Sequence, residues 1–174
     1  MNTIASLVRS DPVTAERAVV DLADLFRAAL GAGQGESTLA EEIELGERYL
    51  SIEKLRLGER LRVDWQLLEP LPRSMKLPRL ILQPLLENAV LHGVSRLSEG
   101  GEIAVHIAAD QRRLHVLIRN PALPPRERDS EHGHGHGQDS TAQRLAYQFG
   151  SAANMTSGYA DGYYVCEFTL PLPA

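Results

Sequence analysis

The sequence of 174 residues predicts an α+β fold: a two-layer sandwich with helices on one face of an antiparallel or mixed sheet, preceded by a helical segment. Apolar residues recur at helical spacing through residues 11–58, and the period changes to two from Leu61 onward. Beyond Leu61 the predicted order is strand, helix, two strands, loop, helix and two strands. This order fits one sheet with its helices on one side.

Composition limits the class of protein. With 43% hydrophobic residues the chain can bury a core, and a net charge of −5 without a sustained basic stripe argues against nucleic acid as a direct ligand. The single cysteine, Cys166, lies in an alternating segment and indicates a buried thiol in a reducing compartment. No apolar run approaches the roughly 20 residues that span a bilayer, and no signal peptide is evident. We therefore expect a soluble cytoplasmic protein.

The first amphipathic helix is predicted to begin at Asp11-Pro12, after a helical stub over residues 2–8, and to end before the glycines at 31 and 33. A second helix follows, with Ser37 or Thr38 as N-cap, Glu41 near its third position and Gly58 at its end. As a pair, these helices bury their apolar faces poorly. We therefore expect homodimerisation, a partial helical dimerisation domain over residues 1–58 and a second domain over residues 59–174.

Strands are predicted from alternation in the second domain. Residues 61–67 alternate first, and residues 103–107 and 114–118 alternate on either side of Asp110-Gln111-Arg112, which predicts a hairpin. A short strand near residues 152–156, a turn over residues 158–162 and a last strand over residues 164–170 close the chain.

A polar cluster interrupts the apolar run over residues 81–95, ILQPLLENAVLHGVS. If residues 78–92 form a helix, Gln83 and Glu87 are one turn apart, and so are Pro84, Asn88 and His92. Pro84 would then lie inside the helix, where a proline costs roughly 3 kcal/mol unless the surroundings compensate. The pattern indicates either a functional site or a solvated helix face.

This run resembles the N-box of sensor histidine kinases and is close to the form found in their LytS/AlgZ-like branch. The resemblance continues through Arg17-Ala18, through residues 21–27 and through residues 47–58, so it extends over almost the whole chain. It implies the ATP-binding fold that histidine kinases share with gyrases, for residues 59–174.

The resemblance also implies roles for individual residues. Asn88 takes the position of the N-box asparagine that ligates Mg²⁺ at the nucleotide phosphates, and an amide oxygen suits that hard cation. Glu87 and His92 would line the phosphate end, and Glu87 is the candidate for polarising the acceptor imidazole. Asn120 stands where an aspartate of the family accepts a hydrogen bond from adenine, and Pro121 follows it. The implied cofactors are ATP and Mg²⁺.

Residues 120–144 are the least regular stretch and contain the string HGHGHG over residues 132–137. In the resembled family this loop is the ATP lid, so Gly133, Gly135 and Gly137 would cradle phosphate, with Arg144 on the helix that follows. His132, His134 and His136 also permit a metal-binding interpretation, or a solvated loop that binds metal only in vitro. Gln138 and Ser140 stand where the family tends to have leucine and asparagine.

The phosphoacceptor motif of the family is only partly present. Residues 2–7 resemble its end and continuation, which places the acceptor histidine before Met1, and the histidines present all follow residue 90. We interpret the chain as a fragment of a two-component sensor histidine kinase with a response regulator as partner. Its parent would be anchored in the inner membrane of a bacterium. The alternative is a degenerate, non-catalytic module of the same fold that regulates a response regulator.

Overall fold

The computed structural model describes residues 2–30, 35–124 and 136–173. Its helices, listed in chain order, are α1 (Asn2–Ser10), α2 (Pro12–Leu30), α3 (Leu39–Leu57), α4 (Leu82–Asn88) and α5 (His136–Phe149). Short 3₁₀ turns follow α3 and α5, and a π-helical segment, Ala89–Gly93, continues α4. None of these described helices has both the length and the apolar character needed to cross a bilayer.

A five-stranded mixed sheet forms one layer of the fold. Its strands are β2 (Leu61–Leu68), β4 (Gly101–Ala109), β5 (Arg113–Pro121), β6 (Asn154–Ala160) and β7 (Tyr163–Pro171). They lie side by side in the order β2-β4-β5-β7-β6. The pair β2 and β4 is parallel, because α4 crosses between these strands, whereas the remaining neighbours are antiparallel. The predicted hairpin is confirmed as β4 and β5.

The core lies between the helices and one face of the sheet. The inward positions of the central strands are buried: Ile103, Val105, Ile107, Leu114, Val116, Ile118, Cys166, Phe168 and Leu170. Buried leucines of α3, α4 and α5 join the same cluster. Helices therefore cover one face of the sheet, and the predicted two-layer α+β fold is confirmed. Burial raises the pKa of the Cys166 thiol to about 12, as the predicted buried thiol implies.

The start of α3 follows the predicted capping pattern. Thr38 is the N-cap, its hydroxyl accepts from the Glu41 N–H at 3.2 Å, and the Glu41 carboxylate accepts from the Thr38 N–H at 2.7 Å. The bonds from the Thr38 N–H and hydroxyl hold the pKa of Glu41 below its usual range. Gly58 ends the helix with φ of 60°, a conformation that favours glycine. The buried face of α3 packs in the same hydrophobic core as the sheet. The domain boundary predicted at residue 58 stays a prediction.

The last hairpin corrects the predicted turn. Strand β6 runs to Ala160, and only Asp161 and Gly162 connect it to β7, with φ of 50° and 83°. Positive φ at both positions matches the twist of a two-residue hairpin, so the strand extends through Gly158 and the turn predicted over residues 158–162 is too long.

The helix predicted from residue 78 to residue 92 is wrong at its start. Pro78 ends a short strand, β3 (Lys76–Pro78), which pairs antiparallel with β1 (Glu36–Thr38) in a second, two-stranded sheet. Leu80 then takes a left-handed φ of 58°, and α4 begins at Leu82. Pro84 is consequently in the first turn of α4, where its missing N–H would have no intrahelical partner, so it carries no interior-proline penalty.

Candidate functional site

The predicted polar cluster lies along the boundary between the buried and exposed sides of α4. Leu85 and Leu86 are buried, Glu87 and Asn88 are half-buried, and His92 is exposed. A fully solvated helix face would expose all three polar side chains. The helix therefore holds Glu87 and Asn88 at a partly water-excluded edge.

Two polar side chains of α4 pair with each other. Gln83 Nε2 donates to Glu87 Oε1 at 2.9 Å across one helical turn. Gln83 Oε1 is buried and has no hydrogen-bond partner among the described residues. Such an orphaned acceptor is unusual in a folded protein and is typical of places that complete their hydrogen bonds with water or a ligand.

Asn88 is the side chain to which the family resemblance assigns the cation. In the described part of the chain, the Asn88 amide has no hydrogen-bond partner. A half-buried amide oxygen without a protein donor remains available as a ligand, and Mg²⁺ takes oxygen ligands while keeping several waters. The donor chemistry at Asn88 therefore fits Mg²⁺ held mainly by phosphate and water.

The π-helical segment after Asn88 ends directly on strand β5. A Cβ at Gly93 would lie 2.1 Å from Asn120 Nδ2 and 3.0 Å from the Pro121 carbonyl oxygen, so only glycine permits this approach. The wider π turn frequently marks functional sites in helices. Gly93 thus brings the end of the π-helical segment that continues α4 into contact with the end of β5.

Asn120 is buried, with 3% of its surface exposed. Its Nδ2 donates to the Pro121 carbonyl at 3.0 Å, which orients the amide and engages one of its donors. Pro121 in turn packs against Gly101, where an added Cβ would lie 2.3 Å from the proline Cγ. These close contacts fix Asn120 firmly beside Gly93.

The start of α4 is held by a residue that the sequence analysis did not single out. Glu42 of α3 is 1% exposed, and its carboxylate accepts from the N–H groups of Leu80 at 2.7 Å, Ile81 at 2.7 Å and Leu82 at 3.0 Å. The Ser37 hydroxyl donates to the same carboxylate at 2.5 Å. Glu42 thereby satisfies two of the backbone donors that a helix start leaves open, at Ile81 and Leu82, as well as the N–H of Leu80 before them. A carboxylate within the buried stripe of Leu39, Ile43 and Leu50 was the signal that could have revealed it.

Arg144 contacts the same turn from the opposite side. Its guanidinium donates to the Leu80 carbonyl at 3.3 Å and also to the Arg79 carbonyl. A left-handed leucine costs about 1–2 kcal/mol relative to the right-handed form, so this turn depends on such contacts. Glu42 and Arg144 together hold the backbone of Leu80 in that conformation.

A cavity of about 880 Å³ lies beside α5. Its described lining comprises Gly35, Glu36, Pro78, Gln143, Arg144, Tyr147 and Gln148. Neither Asn88 nor Asn120 is part of this described lining. Arg144 therefore borders both this cavity and the turn before α4.

Tyr49 is a second residue near the polar helix that the sequence analysis did not assign. Burial, together with the charges of Glu53 and Glu87, raises the pKa of the Tyr49 hydroxyl far above its usual value. Tyr49 therefore stays neutral at physiological pH and lies close enough to Glu87 to experience its charge.

The lid residues fall largely outside the described structure. Gly133 and Gly135 lie outside the described residues, as do His132 and His134, whereas the backbone of His136 and Gly137 belongs to the first turn of α5. Among the residues that the structure describes, no group of three or more His, Cys, Asp or Glu side chains is arranged to hold a metal ion.

Sequence comparison identifies relatives over most of the chain. A family model described as "Histidine kinase" matches residues 1–61. The sensor histidine kinase BtsS of Escherichia coli K12 is 32% identical over 173 residues, which is 99% of this chain and 30% of BtsS. The sensor protein LytS of Enterococcus faecalis is 30% identical over 162 residues, 87% of this chain and 27% of LytS. The chain thus spans less than a third of the length of these relatives.

Structural comparison finds the same fold in solved histidine kinases. The histidine kinase domain of the blue-light-activated kinase of Erythrobacter litoralis superposes with a TM-score of 0.58 at 17% identity, covering 97% of this chain and 80% of that one. ShkA, solved with AMPPNP, gives 0.55 at 20% identity, covering 88% and 35%. ThkA, solved with the response regulator TrrA, gives 0.56 at 13% identity, covering 90% and 49%. With its fold and its sequence in agreement, the chain belongs to the sensor histidine kinases that include LytS and BtsS.

Proposed function

We propose that this chain binds Mg²⁺-ATP and forms part of a two-component sensor kinase. The kinase would transfer the γ-phosphoryl group of ATP to a histidine nitrogen, with ADP as the leaving group. The phosphoryl group would then pass to an aspartate of a response regulator, which regenerates the histidine. Membership of the sensor histidine kinases supports the reaction class. The nucleotide analogue bound to ShkA, which has the same fold, supports ATP as the ligand.

The observation that carries the proposal is the close contact between Gly93 and the Asn120 side chain. This contact joins the helix that bears Asn88 to the end of β5, with an oriented, buried amide at the junction. The proposal places the nucleotide beside this junction, with Asn88 and Asn120 as two of its contacts. Because Nδ2 of Asn120 is engaged by Pro121, the side-chain oxygen of Asn120 is the atom proposed to accept from an amino group of the base.

The remaining residues take proposed roles around this junction. Bound Mg²⁺-ATP supplies the transferable phosphoryl group and the neutralisation of its charge. Asn88 would offer its amide oxygen to the metal, His92 would line the phosphate end, and Glu87 would polarise the acceptor imidazole. Gly133, Gly135, Gly137 and Arg144 are proposed for the lid side of the phosphates.

We also propose a response regulator and a second copy of the chain as protein partners. The complex of ThkA with TrrA supports a response regulator as the phosphoryl acceptor. Exposed apolar side chains along α2, at Val13, Val19, Phe26 and Leu30, support a homodimer through the helical segment. A membrane anchor elsewhere in a longer parent protein stays part of the proposal.

Calorimetric titration of the chain with ATP and ADP, with and without Mg²⁺, tests the nucleotide site. We expect saturable, Mg²⁺-dependent binding that Asn88→Ala weakens severely, because the variant removes the proposed metal ligand. Asn154→Ala, on the exposed edge strand β6, is the matched control and should bind like the parent. No binding at millimolar nucleotide in a folded sample would contradict the proposal and favour the non-catalytic module.

The role of Glu87 needs a longer protein that includes the acceptor histidine. Glu87→Gln keeps the size of the side chain and removes its charge, so we expect normal ATP affinity with slower autophosphorylation. Unchanged phosphoryl transfer measured with labelled ATP would rule out this role for Glu87.

A further inference from the structure

The Glu42 carboxylate is buried between α3 and the start of α4. Among the described residues no ion pair includes Glu42, and its oxygens instead accept hydrogen bonds from the Ser37 hydroxyl and from the three backbone amides before and at the start of α4. Four donors from two segments of the chain thus converge on one side chain. The carboxylate is therefore the centre of a directional link between α3 and α4.

Helices α3 and α4 are also in close contact beyond this link. A Cβ at Gly46 would lie 2.7 Å from Leu86 Cδ1 and 3.2 Å from Trp65 Cη2, so α3 approaches α4 and β2 closely one turn after Glu42. The contact at Gly46 is apolar and carries no directional bond, whereas hydrogen bonds from consecutive amides constrain both distance and direction. The hydrogen bonds to Glu42 therefore determine how the start of α4 is placed against α3.

The turn before α4 is held from both sides. Glu42 accepts from its N–H groups, and Arg144 of α5 donates to its carbonyls at Arg79 and Leu80. Leu80 keeps a left-handed φ of 58° between these contacts. A shift of α3 relative to α5 would have to break one of the two sets of hydrogen bonds or move α4.

We propose that Glu42 is a positioning residue for the nucleotide site. Its carboxylate sets the start of α4, and through this short helix it sets where Asn88 and Gly93 lie relative to Asn120. Glu42 thereby connects the helical segment, which includes the predicted dimer contacts, to the residues proposed to bind Mg²⁺-ATP. This inference rests on the proposed function for its effect on nucleotide, but its effect on α4 is independent of it.

Glu42→Gln is the decisive variant because it preserves shape while replacing one acceptor oxygen with an NH₂ group that faces backbone donors. Glu41→Gln is the matched control: it makes the same chemical change at the next residue, where glutamine can still serve the capping box. Ser37→Ala provides a milder variant, since it removes only one of the donors to Glu42.

The experiment combines amide hydrogen exchange with ATP calorimetry in the whole chain. For Glu42→Gln we expect exchange over residues 79–93 to accelerate on the order of tenfold, with ATP affinity reduced on the order of tenfold. Exchange in β4 and β5 should stay unchanged, Ser37→Ala should shift both readouts less in the same direction, and Glu41→Gln should shift neither.

Two results would overturn the inference. One is exchange in residues 79–93 that is the same for Glu42→Gln and Glu41→Gln. The other is faster exchange spread evenly over the sheet, which would assign Glu42 to overall stability. If the parent chain binds no ATP, the proposed function fails, while the exchange comparison still decides whether Glu42 positions α4.

Discussion

At the scale of single residues, the candidate site depends on how closely two backbone segments approach. Gly93 is the point of contact, because its missing side chain leaves room for the Asn120 amide and the Pro121 carbonyl. Asn120 is buried and oriented by that same carbonyl. The chemistry proposed for Asn120 therefore depends on a residue that has no functional group.

We predict that Gly93→Ala destabilises the fold by about 1–3 kcal/mol, because the added methyl group overpacks a buried contact. It should also weaken ATP binding by displacing Asn120. Gly158→Ala is the control, since a Cβ at Gly158 meets nothing within 4 Å. Urea unfolding and calorimetry measure the two effects, and equal stability of the two variants would refute the close approach at Gly93.

Residue types alone indicated part of this site. The polar set of Glu87, Asn88 and His92 was visible because it interrupts an apolar run, and the structure places these residues on one helical segment. The role of Glu42 at the start of α4 could not be predicted in this way, because its backbone partners lie 38 to 40 residues further along the chain. Local patterns do not reveal which distant amides a carboxylate will meet.

At the scale of elements, helix ends were predicted best where a side chain caps the helix locally. Thr38 with Glu41 and the glycine at 58 marked the ends of α3. The start of α4 was predicted too early, because its N-cap, Ile81, makes no side-chain capping bond and the capping group comes from another helix. A cap supplied by tertiary contact leaves no signal next to the helix it caps.

We predict that Thr38→Ala lowers the free energy of unfolding by about 1 kcal/mol, the usual contribution of an N-cap hydroxyl. Ser51→Ala, on the exposed middle of the same helix, should have little effect or stabilise slightly, because alanine has the higher helix propensity. Urea denaturation monitored by circular dichroism measures both variants. Equal stability of the two would show that the capping box does not stabilise α3.

At the scale of the whole molecule, alternation of apolar residues predicted the central strands and the face of the sheet that is buried. The parallel pairing of β2 with β4 and the small sheet of β1 with β3 were not specified, because strand pairing depends on which distant segments meet. The same limitation applies to the site: its helix was visible in the sequence, whereas its attachment to α3, β5 and α5 became visible only in three dimensions.

The central claim is that a nucleotide-bound metal ion lies beside Asn88. Mn²⁺ in place of Mg²⁺ tests this directly, since both take oxygen ligands and the paramagnetic ion broadens nearby NMR signals. With ADP present, trace Mn²⁺ should first broaden the amide signals of residues 87–93 in the labelled chain, and Asn88→Ala should abolish this pattern. Broadening that needs no nucleotide, or that centres on residues 132–136, would contradict the account.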